Sequence, residues 1–237
     1  MSASNDCRTK SIKATQAGFT LVEIAIVLVI IGLLLGGILK GQEMITQAKI
    51  KNVINDFNGL SAAMYSYQDR YRSLPGDDLN ATGRWKAADG TTDITSNGDG
   101  NGIFNCTASQ KGYNDPALAT QTGQTGKECN IFWQHLRLAG FVPGATTGTS
   151  STQQPANAVN GIVGIQTGGM GFSSNIICTS NLPDKVAIAV DSQMDDGAST
   201  TGQVRGMFQT SPNQDVGATG SAYAETGVNQ YLLCKNL

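Results

Sequence analysis

The distribution of apolar residues along the chain begins with one long uninterrupted run. Phe19 to Leu39 are 21 residues with a single ionisable side chain, Glu23. As a helix rising ~1.5 Å per residue, this run would be about 32 Å long, close to the hydrocarbon thickness of a bilayer. The pattern therefore predicts a transmembrane helix over residues 19–39.

Beyond Leu39, apolar residues recur in alternating steps of three and four positions. This spacing is typical of one face of an amphipathic helix, which we expect Pro75 and Gly76 to end. The positions on this stripe are Ile50, Val53, Phe57, Leu60, Met64, Tyr67, Tyr71 and Leu74. We therefore predict that residues 40–74 continue the transmembrane helix as a stalk whose apolar face packs on the rest of the chain.

Residues 75–237 have short apolar stretches between clusters of Gly, Thr, Ser and Asn, which is typical of a small head rich in turns. We predict a short helix at Asn130–Gly140 and strands at Val159–Gln166, Gly171–Thr179, Gln203–Thr210 and Gln230–Cys234. Asp184–Asp196 is ambiguous: its spacing favours a helix capped by Asp184, and its Val and Ile content favours a strand. The fold class is α+β, a long N-terminal helix packed on a mainly antiparallel head with short helices.

The charged residues bear on two questions, whether the chain binds nucleic acid and how it is oriented in the membrane. The net charge of −2 offers no basic stripe, so no nucleic acid is expected as a partner. Arg8, Lys10 and Lys13 precede the apolar run, and basic flanks tend to stay cytoplasmic. We therefore expect a single-pass protein with a cytoplasmic N-terminus and an exported head.

With this topology, Cys7 is cytoplasmic and the other four cysteines lie where disulfides persist. Four cysteines allow three pairings. We favour Cys106–Cys129 and Cys178–Cys234 because each bond closes a separate segment. A metal site is the alternative, but the sequence has no CxxC spacing and only one histidine, His135.

The leader differs from a secretory signal peptide, in which the apolar stretch precedes the cleavage site. Here a polar, basic segment of 18 residues ends at Ala17-Gly18, and the apolar run follows directly. Cleavage after Gly18 would remove residues 1–18 and leave the membrane helix in the mature protein.

Gly18-Phe19-Thr20-Leu21-Val22-Glu23, followed by about twenty apolar residues, resembles the prepilin signature of type IV pilins and type II secretion pseudopilins. The resemblance implies a pilin-like fold. It also implies that a prepilin peptidase cuts after Gly18 and methylates Phe19, and that Glu23 serves ordered polymerisation. The implied partners are other pilin-like subunits and an inner-membrane assembly platform. The implied locations are the bacterial inner membrane, with the head in the periplasm, and then a fibre.

The chemistry of Glu23 agrees with such a role. A carboxylate in a low-dielectric region is expected to pair with a cation or to become neutral. Cleavage would create an amine at Phe19, and a neighbouring chain's amine on Glu23 would fix the register between subunits. The alternative is a glutamate that snorkels to the headgroups in an ordinary signal-anchor helix.

Two further features bear on assembly. Gly32 with Gly36 and Gly37 with Gly41 repeat the GxxxG spacing that lets membrane helices pack closely, although general glycine enrichment is an equal alternative. Lys40 stands where many major pilins and pseudopilins have proline, which favours a minor subunit.

One segment of the head suggests a metal. Asn97, Asp99 and Asn101 alternate before Gly102, like the front half of a calcium loop, and Asp93 could add a carboxylate. Ala108 replaces the glutamate expected at the twelfth position, and a simple turn rich in Asn, Asp and Gly is the alternative. We therefore expect no required cofactor and keep structural calcium as a candidate. For the acidic group of Asp191, Asp195 and Asp196, a solvated helix end is favoured over a ligand set.

The functional hypotheses belong to three classes. The leading hypothesis is a structural subunit of a type IV pilus or type II secretion pseudopilus, and within that fibre a minor subunit. A minor-pilin tip protein that binds a surface, a sugar or DNA is the alternative. A membrane-tethered enzyme is the third, but His135 has no nucleophile or carboxylate at a motif-defining distance, and no GxSxG motif is present, so we predict that the chain is not an enzyme.

Overall fold

The computed structural model describes residues 18–104, 106, 112–115 and 127–237. The chain divides into two compact units, one ending at Ile45 and the other comprising Thr46–Leu237. Helix α1, Leu21–Tyr71, begins in the first unit and ends in the second. The leader residues before Gly18, including Cys7, lie outside the described residues.

The predicted long helix is confirmed, but its C-terminal end lies earlier than Pro75 and Gly76 suggested. Arg72 adopts a left-handed backbone with φ 56°. Its N–H donates to the carbonyl of Gln68 at 2.8 Å, which caps the last turn. A backbone turn at Arg72, not the proline that follows, therefore ends α1.

The predicted apolar stripe on the second part of α1 is confirmed as the face that forms the core of the head. Its first six positions are buried, and Tyr71 and Leu74 pack on them half-buried. The same cluster contains residues from the sheet and from two other helices, among them Ile177, Leu136 and Val190. This part of α1 is therefore a core element of the second unit.

The described residues of the head form three more α-helices and one four-stranded antiparallel sheet. The helices are α2 (Ala81–Arg84), α3 (Glu128–Leu138) and α4 (Asp184–Met194), with a 3-10 turn at Thr149–Ser151. The strands are β1 (Val163–Gly169), β2 (Phe172–Pro183), β3 (Val204–Gln209) and β4 (Gln230–Asn236), in the order β1-β2-β4-β3. The predicted strands and the predicted short helix are confirmed, with ends shifted by a few residues. The α+β layout, a long helix on a small antiparallel sheet, is therefore also confirmed.

The ambiguous segment after β2 forms helix α4, but Asp184 does not cap it. Pro183 precedes the helix and Asp184 is its first residue. The Asp184 carboxylate accepts hydrogen bonds from the backbone N–H groups of Thr226, at 2.7 Å, and Gly227, at 2.6 Å. The side chain therefore fixes a distant loop to the start of α4, which local sequence rules do not reveal.

Both faces of the sheet are buried. Along the two central strands, β2 and β4, successive apolar side chains lie on opposite faces of the sheet and belong to two different clusters. Ile177 and Leu233 belong to the cluster around α1, whereas Ile176 and Leu232 belong to a second cluster that includes Tyr113 and Met170. Burial on both faces explains why these strands lack a polar side.

Among the residues that the structure describes, two disulfides are present, Cys106–Cys129 and Cys178–Cys234. These are the two pairings that the sequence favoured. Cys178 and Cys234 are directly paired residues of β2 and β4. Cys129 lies in the first turn of α3, so the other bond attaches Cys106 to this helix.

Candidate assembly site

The first part of α1 presents a continuous apolar surface to its surroundings. The large apolar side chains between Phe19 and Leu39 are between 46% and 86% exposed. An 18-residue window of α1 has a mean hydropathy of 2.8, and the helix is long and apolar enough to cross a membrane, a test that a signal sequence also passes. An exposed apolar surface of this size is typical of a segment that contacts a membrane or another protein.

The N-terminus of α1 is closed by a hydrogen-bonded pair, Thr20 and Glu23. The backbone N–H and the hydroxyl of Thr20 both donate to Oε2 of Glu23, each at 2.8 Å. The Glu23 N–H donates back to the Thr20 hydroxyl at 3.3 Å. This arrangement is a capping box, the sequence T-x-x-E at a helix start. Sequence reasoning missed it, although the spacing from Thr20 to Glu23 was sufficient to reveal it.

The predicted cleavage site lies immediately before the capping box. Gly18, Phe19 and Thr20 precede the first helical residue, and all three are exposed. The Phe19 side chain is 82% exposed. The peptide bond after Gly18 is therefore in non-helical, accessible backbone, the state that a peptidase requires. Cleavage there and methylation of Phe19 stay predictions.

The four glycines of the predicted packing face have open space around them. A Cβ atom built on Gly32, Gly36, Gly37 or Gly41 would meet no atom within 4 Å outside the local helix backbone. The structure thus leaves room for a neighbouring helix at these positions. The packing role itself stays a prediction.

The apolar surface gives way to charged residues at Lys40. The Lys40 ammonium lies 2.7 Å from the Glu43 carboxylate, and the two side chains are 70% and 59% exposed. Such an exposed ion pair contributes little stability.

In the head, the four candidate calcium ligands have different partners. Asp93 pairs with Lys86, and the Asn97 side-chain oxygen accepts from the N–H of Thr82 at 2.8 Å. Asn101 donates its side-chain amide to Asp99 at 2.8 Å. The structure places Asp99 with two carboxylates that the sequence did not suggest, Asp77 and Glu128, with one oxygen of each within 4.8 Å of the others. Ala108 lies outside the described residues.

The loop around Asp99 is built on the buried carboxylate of Asp77. One oxygen accepts from the N–H groups of Gly100, at 2.5 Å, and Asn101, at 3.2 Å, and the other from the N–H of Gly102 at 2.7 Å. Burial raises the pKa of Asp77, these hydrogen bonds lower it, and Asp99 raises it further. A bound cation would offset the burial and the repulsion, but the loop is already closed by N–H donors. Calcium therefore stays a prediction.

The second acidic group has protein donors as well. Asp191 accepts from the Tyr223 hydroxyl at 2.6 Å, and Asp196 from the Thr201 hydroxyl at 2.7 Å. Asp195 accepts from the N–H of Val204 at 2.9 Å. These three carboxylates connect the end of α4 to β3 and to the loop before β4.

His135 is completely buried and its two ring nitrogens have backbone partners. Nδ1 accepts from the N–H of Gly76 at 2.9 Å, which leaves the proton on Nε2 to donate to the Ser96 carbonyl at 3.0 Å. The ring stacks on Tyr67, with 6.2 Å between centroids and 8° between planes. Burial lowers the pKa of His135 to about 4. These contacts give the histidine a structural role.

An ion pair beside His135, formed by the buried carboxylate of Asp78 and the exposed residue Arg84, was also missed from the sequence. The Tyr67 hydroxyl donates to the Asp78 carboxylate at 2.7 Å, and the Arg84 guanidinium pairs with the same carboxylate. Arg84 also lies 4.8 Å from the centroid of the Tyr71 ring, within cation–π range. The network joins the last turns of α1 to α2.

Among the described residues, the cavity of about 480 Å³ beside β1 has no charged side chain in its lining, which includes Phe104, Gln166 and Thr167.

Comparison with known protein families identifies the N-terminal part of the chain. The family described as "Prokaryotic N-terminal methylation motif" matches residues 13–39, the signature of type IV pilin and pseudopilin precursors. The chain therefore carries a prepilin motif, and this motif supports a pilin-like or pseudopilin-like subunit that is processed by a prepilin peptidase and assembles with others. No curated protein and no solved structure matches the chain.

Proposed function

We propose that the chain is a minor structural subunit of a type IV pilus or of a type II secretion pseudopilus. The observation that carries this proposal is the exposed apolar surface of residues 19–39, with one carboxylate, Glu23, within the prepilin motif of residues 13–39. Lipid covers this surface before assembly, and the helices of other subunits cover it in the fibre.

The topology of the proposed subunit follows from its charges. Arg8, Lys10 and Lys13 keep the leader in the cytoplasm. The apolar part of α1 then crosses the inner membrane once, and the head lies in the periplasm. The two disulfides agree with an oxidising compartment for the head.

Assembly exchanges one apolar environment for another. Because lipid tails are as apolar as leucine, helix association in a membrane depends on close packing and on polar contacts. The open surface at Gly32, Gly36, Gly37 and Gly41 supports close packing. A contact between Glu23 and the Phe19 amine of the next chain would set the stagger.

The assignment to a minor subunit depends on two observations. Lys40 replaces the proline that many major subunits have, and the head of 163 residues, from residue 75 to residue 237, is sizeable.

The first experiment is mass spectrometry of the mature protein, which should begin at N-methylated Phe19. A mature N-terminus at any other residue would contradict the proposed processing. Glu23→Ala should give a processed subunit that stays in the membrane fraction and is lost from sheared fibres.

Glu43→Ala is the matched control for Glu23→Ala. Glu43 is also an exposed glutamate of α1 but lies beyond the apolar run. We expect this variant to enter fibres like the wild type. Equal incorporation of Glu23→Ala and wild type would remove Glu23 from the mechanism.

A further inference from the structure

We propose that Thr20 positions the Glu23 carboxylate for the contact between subunits. In this arrangement the Thr20 hydroxyl and N–H hold Oε2, and Oε1 receives the Phe19 amine of a neighbouring chain. The inference rests on the proposed function, because it concerns how the assembly contact is prepared.

The hydrogen bonds divide the two carboxylate oxygens into different roles. Oε2 accepts both donors of Thr20, each at 2.8 Å. Among the described residues, no hydrogen bond to Oε1 is found. One oxygen thus fixes the side chain and the other remains available for a further donor. An ammonium group has three N–H donors and suits such an acceptor.

The Thr20 hydroxyl also gives the Glu23 carboxylate a hydrogen bond that water would otherwise supply, within an otherwise apolar segment. A carboxylate there is costly unless hydrogen bonds or a cation compensate it. The next basic side chain in α1 is Lys40, about 26 Å further along the helix at ~1.5 Å per residue, too far to pair with Glu23. Local compensation therefore comes from Thr20, and the cation must come from a chain terminus or from another subunit.

The capping box is unaffected by removal of the leader. Both of its residues lie after the cut that the motif predicts between Gly18 and Phe19. Thr20 keeps its N–H and hydroxyl, and only Phe19 gains a new amine. The processed chain therefore keeps both donors of Thr20 that hold the Glu23 carboxylate.

Without the hydroxyl, the carboxylate loses one of its two donors, and Glu23 N–H loses its acceptor. The glutamate side chain then gains rotational freedom and can snorkel towards the headgroups. Register between subunits depends on the position of this one polar group, so assembly should be impaired although the carboxylate is still present.

The test compares Thr20→Val with Thr20→Ser in the full-length chain, expressed in its host with the native assembly machinery. Valine keeps the branched shape and removes the hydroxyl, whereas serine keeps the hydroxyl. We expect Thr20→Val to be processed normally, as shown by the mass of its N-terminal peptide, but to be several-fold depleted in sheared fibres. Thr20→Ser should be close to the wild type.

Three results would overturn the proposal. The first is a fibre level of Thr20→Val equal to that of the wild type. The second is a loss of fibres in Thr20→Ser as large as in Thr20→Val. The third is a Thr20→Val chain that keeps its leader, which would assign the hydroxyl to processing. If fibres need Glu23 but tolerate Thr20→Val, only this inference fails. If fibres tolerate Glu23→Ala as well, the assembly role of Glu23 fails with it.

Discussion

The burial of His135 predicts a specific loss of stability at mildly acidic pH. The pKa of a histidine in an unfolded chain is about 6.5, and burial lowers it to about 4 in the folded protein. Between these values the unfolded state binds more protons than the folded state. The free energy of unfolding is therefore highest above pH 6.5 and falls as the pH decreases towards 4.

The magnitude follows from the two pKa values. At about 1.4 kcal/mol for each unit of pKa shift, full protonation costs about 3 kcal/mol, of which about 2 kcal/mol is lost between pH 7 and pH 5. The structural reason is that protonated Nδ1 cannot accept the Gly76 N–H, which then faces a second donor. Asp77 and Asp191, whose pKa values are raised by burial, act in the opposite direction.

The assay is urea unfolding of the full-length protein in detergent at pH 7 and pH 5, followed by tryptophan fluorescence. Trp85 and Trp133 are the only tryptophans, and Trp85 lies 5.6 Å from the His135 ring between centroids. His135→Asn provides the comparison, since it removes the titration and leaves the carboxylates unchanged. We expect the wild type to lose about 2 kcal/mol more than the variant between the two pH values.

Parallel pH dependence of the two proteins would refute this reasoning. If His135→Asn does not fold, an NMR titration of the wild type decides the question. His135 is the only histidine, so its ring signal is unambiguous. A midpoint near 6.5 instead of near 4 would show that burial does not hold the ring neutral.

Three further predictions concern the second unit, Thr46–Leu237. Replacing Cys178 and Cys234 by alanine should lower the free energy of unfolding by about 4 kcal/mol, because the bond closes a loop with a sequence separation of 56; an unchanged urea midpoint would contradict this. Gly59→Ala should stabilise α1 by about 1 kcal/mol, since Gly59 is helical and its Cβ would meet no atom. Its counterpart Gly98→Ala should destabilise, because a Cβ there would overlap backbone atoms of the preceding loop, and the melting temperatures should move in opposite directions. Calcium, if bound, should raise the melting temperature of the wild type and not that of Asp99→Asn, whereas an unchanged melting temperature on adding a chelator would count against the site.

The parts of the fold that the sequence predicted correctly are those in which burial follows a local period. The stripe from Ile50 to Tyr67 was visible because a helix buries one face every 3.6 residues, and the strands because short apolar runs alternate with turn residues. The N-terminal motif could be identified for the same reason, since all of its residues lie within the continuous segment 13–39.

The contacts that sequence analysis missed depend on distant parts of the chain. Asp77 and Glu128 meet near Asp99 only after the head has folded, and no local spacing indicates it. The carboxylate of Asp184 was assigned to its own helix, but it holds a loop more than forty residues away. A polar side chain at a helix start has several possible donors, and tertiary structure decides which one it uses.

Helix α1 also determines which truncated forms of the protein can keep a complete core. Residues from Ile50 to Tyr67 fill the centre of the head, so a fragment that begins after Tyr71 would leave the sheet with an open apolar face. A fragment that begins at Thr46 keeps these residues and removes the exposed apolar surface that requires lipid or other helices. A water-soluble version of the head therefore has to retain about half of the helix whose other half is the proposed membrane anchor.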